Sequence, residues 1–296
     1  MFTGSYVALV TPMFENGDID YKSLEKLVKF HVEQGTHGIV SVGTTGESAT
    51  LNFNDHVKVL EKTISYIDNK IVAIAGTGAN STSEALELTH QSKALGADAC
   101  LLVTPYYNKP TQNGLYQHYL KIANEVNIPQ ILYNVPGRTS VDMHPDTVLK
   151  LCEHDNIIGI KEASGDVDRS IELLDKCSEK ISIFSGDDKT AMRDILQGFR
   201  GNISVTANIC PREMHDVCRL ASAGSKDEAE IINKKIEILH DDLFIESNPI
   251  PVKWALNKMN LIDKGIRLPL TWLDEKYQKI LGKSLISAGI ITKNDL

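Results

Sequence analysis

The chain has 296 residues, enough for one large α/β domain or for two smaller domains with full hydrophobic cores. Its 42% hydrophobic and 24% charged residues are the composition of an ordinary soluble globular protein. The net charge of −8, with no basic cluster, argues against a nucleic-acid-binding surface, and no apolar run is long enough to span a membrane.

The cysteines and the first residues indicate a cellular compartment. The five cysteines are odd in number and lack C-x-x-C spacing, so we expect reduced, mostly buried thiols instead of a disulfide framework or a zinc site. The N-terminal residues lack the basic segment and the long apolar core of a signal peptide. We therefore expect a cytoplasmic protein.

Short apolar runs rich in β-branched residues recur along the chain, and a helical pattern fills each gap between them. The predicted strands are 6–10, 38–42, 71–75, 99–103, 130–135, 157–161, 181–184 and 202–206. The first helix is expected to end at Gly35, and residues 81–84 predict a capping box that opens the third helix. Asp187 and Asp188 are predicted to cap a later helix.

Eight strand–helix units in regular order predict a parallel sheet, because parallel neighbours need a crossover helix each time. Eight strands also suffice to close a (β/α)8 TIM barrel. A doubly wound open sheet is the alternative, but the residues after the first strand, 10–13, are not a glycine-rich nucleotide-binding turn. From about residue 224 the pattern is helical only, so we predict a barrel domain at 1–224 and a C-terminal helical domain at 225–296.

Lys161 ends the apolar run 157–161, where the sixth strand should stop. Side chains alternate along a strand, so Ile157, Gly159 and Lys161 are expected to share one face. If that face points into a core, burial disfavours the charged ammonium and makes the amine available as a nucleophile. The alternative is a strand-end lysine whose head reaches water.

Polar residues follow each predicted strand, at the end of a barrel where active sites are built. The loop 43–46 lacks the lysine of a P-loop, but its glycines and threonines suit a small anion; a simple tight turn capped by Thr45 is the alternative. Tyr133 and Lys161 end neighbouring strands, so Tyr133 is a candidate proton carrier or else a locally satisfied aromatic. Arg138, after the turn pair 136–137, suits bidentate capture of a carboxylate or is a solvated loop residue.

A metal enzyme is a further alternative. The histidines fall in helices or at the starts of elements, which weakens the case for a zinc enzyme. Glu162, Asp187 and Asp188 have the chemistry to hold magnesium, but helix capping explains the two aspartates more simply. We expect no metal and no organic cofactor.

Three spaced segments together resemble a known family, the pyruvate-dependent class I aldolases, and most closely dihydrodipicolinate synthase-type members. They are Gly-Thr-Thr-Gly-Glu at 43–47, Tyr-Asn-Val-Pro-Gly-Arg-Thr at 133–139 and Ile-Lys-Glu-Ala-Ser-Gly-Asp at 160–166. The resemblance runs the whole length of the chain. It implies a (β/α)8 barrel with a C-terminal helical domain, assembled as a homotetramer of tight dimers.

The resemblance also implies a reaction and its residues. Lys161 would form a Schiff base with pyruvate, and the derived enamine would attack L-aspartate 4-semialdehyde to give 4-hydroxy-tetrahydrodipicolinate, on the route to diaminopimelate and lysine. The residues implied for catalysis are Lys161, Tyr133, Thr44 and Tyr107, the last donated across the dimer interface. Thr45 is implied as the ligand of the pyruvate carboxylate, with Gly186 and Ile203 as backbone neighbours of pyruvate, and Arg138 as the ligand of the semialdehyde carboxylate.

In many bacterial members of this family free lysine inhibits at the dimer interface. The matching positions here are Ser48, Ala49, His56, Asn80, Glu84 and Tyr106. Phe53 stands where sensitive members commonly carry histidine, and Asn80 replaces a frequent aspartate. Because a lost carboxylate weakens the hold on a cation, we expect feedback inhibition weaker than typical.

Two other functions remain open at this point. A sister aldolase, such as N-acetylneuraminate lyase or a keto-deoxy-sugar aldolase, shares the lysine, the tyrosine and the Gly-Thr-Thr-Gly loop, but a sugar substrate has no use for a second carboxylate clamp at Arg138. A barrel that binds a ligand without catalysis is the more distant alternative.

Overall fold

The structure, a computed structural model, describes residues 2–296. Within that range eight parallel strands hydrogen-bond in chain order, and the last pairs with the first, which closes the barrel. The strands are β1 (Gly4–Ala8), β2 (Gly38–Ser41), β3 (Val72–Gly76), β4 (Ala99–Val103), β5 (Gln130–Asn134), β6 (Ile157–Glu162), β7 (Ser182–Ser185) and β8 (Gly201–Ser204). The predicted (β/α)8 fold is confirmed, and the open sheet is wrong.

The first and last strands begin earlier than their apolar runs suggest. Gly4 pairs with Gly201, and Ser5 with Asn202, so the ladder that closes the barrel starts on small and polar residues. A Cβ at Gly201 would lie 2.0 Å from the carbonyl oxygen of Gly4, so only glycine permits this approach. The apolar pattern misses these strand starts because close backbone packing requires small residues there.

Helices connect the strands and continue beyond them. They are α1 (Tyr21–Gln34), α2 (Phe53–Ile67), α3 (Thr82–Ala94), α4 (Gln112–Glu125), α5 (Pro136–Thr139), α6 (Pro145–Leu151), α7 (Val167–Cys177), α8 (Asp188–Gln197), α9 (Pro211–Ser222), α10 (Lys226–Asp242), α11 (Ile250–Lys258) and α12 (Glu275–Ser287). The predicted domain boundary falls between α9 and α10 and stays a prediction. No helix within residues 2–296 combines the length and the apolar character that crossing a bilayer requires.

Two of the predicted helix-capping features are confirmed and two are wrong. Gly35, with φ of +85°, ends α1 as expected, and Asp187 caps α8 by accepting from the backbone N–H of Lys189 at 3.1 Å. The capping box of α3 is wrong: Ser81 makes no capping hydrogen bond to the helix, and its hydroxyl pairs with that of Ser83 at 2.9 Å. The carboxylate of Asp188 is no cap either, because it turns to β8 and accepts from Asn202 and two backbone N–H groups.

Two apolar layers form the core, one inside the barrel and one between the strands and the helices. The sixth strand breaks simple alternation between them, because its register with β5 shifts at Gln130 and Ile131. Ile157 therefore packs in the outer layer with Ile160, while Ile158 packs against the inner one. The prediction that Ile157 and Lys161 share a face is wrong, since such an irregularity changes which side a residue faces.

Candidate active site

Tyr133 and Lys161 stand opposite each other in register at the ends of β5 and β6. The Lys161 Nζ lies 4.4 Å from the centroid of the Tyr133 ring. Both side chains are buried, with 5% exposure for Lys161 and 7% for Tyr133. The amine is therefore withdrawn from bulk water, and a phenol lies beside it.

A cavity of about 330 Å³ opens above this pair at the carboxyl ends of the strands. Its polar wall is formed by residues that follow several different strands and by residues of the C-terminal helices: Thr44, Thr45, Tyr133, Arg138, Lys161, Asp187, Lys189, His240, Asp241 and Asn248. The volume suits a small ligand such as a keto acid. Lys189 and Asp241 pair across this wall at 2.8 Å, so among the residues of this wall Arg138 is the guanidinium available to meet an anionic ligand.

The threonine loop and Gly186 line the same cavity as the lysine. Thr45 is buried and accepts from the side-chain amide of Asn248 at 2.9 Å, whereas Thr44 is half-buried. A Cβ at Gly186 would lie 2.7 Å from Cε of Lys161. Glycine at this position thus leaves room for the lysine side chain.

The remaining sequence-predicted residues lie at different depths. Arg138 is exposed at the cavity mouth, in the one-turn helix α5, where the sequence indicates only a turn. Ile203 is fully buried in the inner apolar layer on β8, and its side chain does not line the cavity. Tyr107 is 88% exposed, with φ of +75°, and does not line it either. Apart from Ile203, the structure thus places every site residue predicted from this chain in the wall of one cavity. Tyr107 is expected at the site of a neighbouring chain, and that expectation stays a prediction.

Glu162 is held from several sides behind the strand ends that carry Tyr133 and Lys161. Its carboxylate accepts from Nε of Arg169 at 2.8 Å, from the backbone N–H of Ser164 at 2.8 Å and from the amide of Asn134 at 3.2 Å. These bonds occupy the carboxylate that the magnesium alternative needs. Among residues 2–296 no group of three or more His, Cys, Asp or Glu side chains is placed to hold a metal ion.

The C-terminal helices contribute residues that the sequence did not point to. Three of them line the cavity: His240 on α10, Phe244 just after α10, and Asn248 shortly before α11. The sequence pattern identifies the apolar stripe of α10 but not these neighbouring residues. Burial lowers the pKa of His240, and burial raises the pKa of Asp187, where the nearby charges of Asp188 and Asp194 act in the same direction. The sequence contains one signal for such a residue, because Asn248 is a polar side chain at the break between two helices.

The residues matched to a lysine site divide between a surface cavity and the protein interior. Ser48, Ala49 and Tyr106 line a second cavity of about 400 Å³ next to the first. Burial, followed by the charge of Glu84, raises the pKa of Tyr106. His56 is buried with its ring bonded to the Gly76 carbonyl at 2.8 Å, whereas Phe53 is 42% exposed.

A closed barrel that presents a buried lysine beside a tyrosine at its strand ends characterises a lyase of the class I aldolase type. The sequence model of the dihydrodipicolinate synthetase family matches residues 1–288. The chain belongs to this family.

Individual relatives agree over almost the full length. A 4-hydroxy-tetrahydrodipicolinate synthase of Thioalkalivibrio sulfidiphilus is 58% identical over 290 residues, covering 98% of this chain and 99% of the relative. The chloride-inhibited dihydrodipicolinate synthase of Acinetobacter baumannii, solved with pyruvate, superposes with a TM-score of 0.97 at 58% identity, covering 98% of this chain and all of the other. A Cyanidioschyzon merolae homologue solved with lysine bound has a TM-score of 0.94 at 36% identity, covering 98% and 99%.

Proposed function

We propose that this enzyme condenses pyruvate with L-aspartate 4-semialdehyde to give 4-hydroxy-tetrahydrodipicolinate, with Lys161 as the covalent nucleophile. The observation that carries the proposal is the pairing of the buried Lys161 amine with Tyr133 under a small cavity. The names of relatives at 55–58% identity support this reaction over that of a sugar aldolase or a non-catalytic barrel.

The first half of the reaction builds a carbon nucleophile. The Lys161 amine attacks the keto carbon of pyruvate, and water leaves to give an iminium. The iminium then draws electrons from the methyl carbon, so a methyl proton departs and an enamine remains. Tyr133 is placed to carry protons during these steps, with the hydroxyl of Thr44 as a relay. Thr45 and Gly186 border the position of the pyruvate carboxylate.

The second half forms the carbon–carbon bond. The enamine carbon attacks the aldehyde, whose oxygen takes a proton and becomes the hydroxyl of the product. The amino group of the semialdehyde then attacks the imine carbon and displaces the Lys161 amine, which closes the ring and frees the enzyme. Arg138 at the cavity mouth suits the semialdehyde carboxylate, because its guanidinium presents two parallel donors.

Borohydride reduction in the presence of pyruvate tests the covalent step. Reduction traps the iminium as a stable amine, so intact-mass spectrometry of the wild type should show one pyruvate-derived adduct per chain on Lys161. The variant Lys161→Ala should show none. Lys161→Arg is the matched control and should also show none, since it keeps a long basic side chain but has no amine that can form the iminium. A wild-type chain without an adduct contradicts the proposal.

Assembly and regulation follow from the same family membership. We propose a homotetramer built from tight dimers, in which the exposed Tyr107 of one chain contributes to the site of its neighbour. We also infer that free lysine inhibits weakly, at the surface cavity next to Tyr106. The lysine-bound homologue supports the existence of such a site in the family. Sedimentation analysis of the wild type tests the assembly and should show a tetramer, whereas kcat of Tyr107→Phe tests the contribution of the hydroxyl to the neighbouring site.

A further inference from the structure

The loop that carries Thr44 and Thr45 is held in a conformation that its own sequence does not favour. Val42 has φ of +55° and Glu47 has φ of +60°, so non-glycine residues occupy the left-handed region at both ends of the loop. For a β-branched residue such as valine this conformation is a true outlier. Strained backbone of this kind persists only where surrounding contacts enforce it.

Packing within the barrel supplies part of that enforcement. A Cβ at Gly46 would lie 2.9 Å from the backbone of Val42, so the loop folds tightly on itself and only glycine fits. The hydroxyl of Thr11 donates to the Gly46 carbonyl at 2.7 Å. Neither contact reaches the side chains of Thr45 and Glu47.

Those two side chains are held by the C-terminal helical region. Lys253 on α11 pairs with the Glu47 carboxylate, and both side chains are completely buried. The backbone N–H of Arg267 donates to the other carboxylate oxygen at 3.1 Å. Asn248, 5% exposed, donates to Thr45 Oγ1 at 2.9 Å. Contacts across more than 200 residues of sequence therefore meet on one five-residue loop.

The buried ion pair is a poor device for stability alone. Removing two charges from water costs so much that an apolar pair of similar volume is often at least as stable. The better-supported role of a buried ion pair is to favour one conformation over others. Here the fixed geometry is that of the strained loop end at Glu47, two residues after Thr45, which lines the same cavity as Lys161.

We propose that Lys253 and Asn248 are positioning residues, through which the C-terminal helices hold the loop 43–47 in the conformation that binds the pyruvate carboxylate. This inference rests on the proposed function, which places pyruvate at Thr45. The C-terminal region would then contribute to the capture of pyruvate, whereas Arg138 contributes to binding of the semialdehyde.

The test measures the pyruvate concentration that half-saturates borohydride trapping, since trapping needs no second substrate. The double variant Glu47→Gln/Lys253→Met removes both charges at similar volume and leaves no unpaired buried ion. It should raise the half-saturating concentration at least tenfold and still give the full adduct at saturation. Asn248→Ala, with the ion pair intact, should raise it at least threefold.

The control is Asp146→Asn/Lys176→Met, which neutralises an ion pair at the protein surface and should leave the pyruvate dependence unchanged. Circular dichroism melting establishes that each variant is folded. The inference is overturned if the half-saturating pyruvate concentration of the folded double variant, or of Asn248→Ala, stays within twofold of the wild-type value. If the double variant does not fold, Asn248→Ala alone decides the test. Absence of any adduct in the wild type instead overturns the proposed function.

Discussion

Asn134 and Glu162 lie opposite each other on β5 and β6, and the Asn134 amide donates to a Glu162 carboxylate oxygen at 3.2 Å. They are the next residues along the strands after Tyr133 and Lys161, so their side chains point to the opposite face of the sheet. The hydrogen bond on the outer face thus ties together the two strand ends that carry the proposed catalytic groups, Tyr133 and Lys161, on the inner face.

Arg169→Met should destabilise the fold. Arg169 is 10% exposed and Glu162 2% exposed at their side chains, so the change leaves a buried carboxylate without its cation. Loss of one partner of a buried pair typically costs about 3–5 kcal/mol. Urea unfolding at pH 7 measures the change in the free energy of unfolding. Glu162→Gln/Arg169→Met, which removes both charges, should recover part of the loss, and equal stabilities of the single and double variants would contradict the assignment.

Tyr133→Phe should slow turnover without preventing capture of pyruvate. The ring beside Lys161 is retained while the hydroxyl that we propose as the proton carrier is lost, so kcat should fall by about 10²–10⁴-fold. Steady-state kinetics gives kcat, and borohydride trapping at saturating pyruvate should still label Lys161. An unchanged kcat would assign proton transfer to another group. Tyr116→Phe, away from the cavity lining, is the matched control.

Acidification should weaken the fold through His31. Burial lowers the pKa of His31 from 6.5 to about 3, so between these values the unfolded chain binds a proton that the folded chain does not. The contribution of His31 to the free energy of unfolding is therefore complete above pH 6.5. It decreases by about 1.4 kcal/mol per pH unit as the pH falls from 6.5 towards 3. Urea unfolding across this window should show a shallower pH dependence for His31→Gln than for the wild type. The same substitution at the exposed His90 is the control for loss of a histidine, and equal slopes for wild type and His31→Gln would refute the expectation.

Asn80→Asp should strengthen inhibition by free lysine. The substitution adds a carboxylate at a position matched to the proposed lysine site, and one charge contact with a cationic ligand near a protein surface is worth several-fold in affinity. The lysine concentration that halves the activity should therefore decrease. Asn80→Ala removes the amide without adding a charge and should not decrease it. Tight inhibition of the unmodified enzyme by lysine would contradict the expected weakness of this site.

Local patterns in the sequence determined much of this protein. Apolar runs and turn residues located all eight strands to within two positions, and the lysine at the end of the 157–161 run indicated the proposed nucleophile. Short motifs likewise located Thr44, Thr45, Tyr133 and Arg138, all of which line the cavity. Such signals are readable because alternation, helical periodicity and turn chemistry each extend over only a few neighbouring residues.

Tertiary structure alone decided the rest. The shift in register that turns Ile157 outward, the approach of Gly4 to Gly201, and the pairing of Glu47 with Lys253, 206 residues apart, arise from barrel closure and from the docking of the C-terminal helices. Nothing in the sequence around Asn248 shows that it will contact Thr45. Which distant residues meet depends on how whole strands and helices pack, and that information is spread over the entire chain.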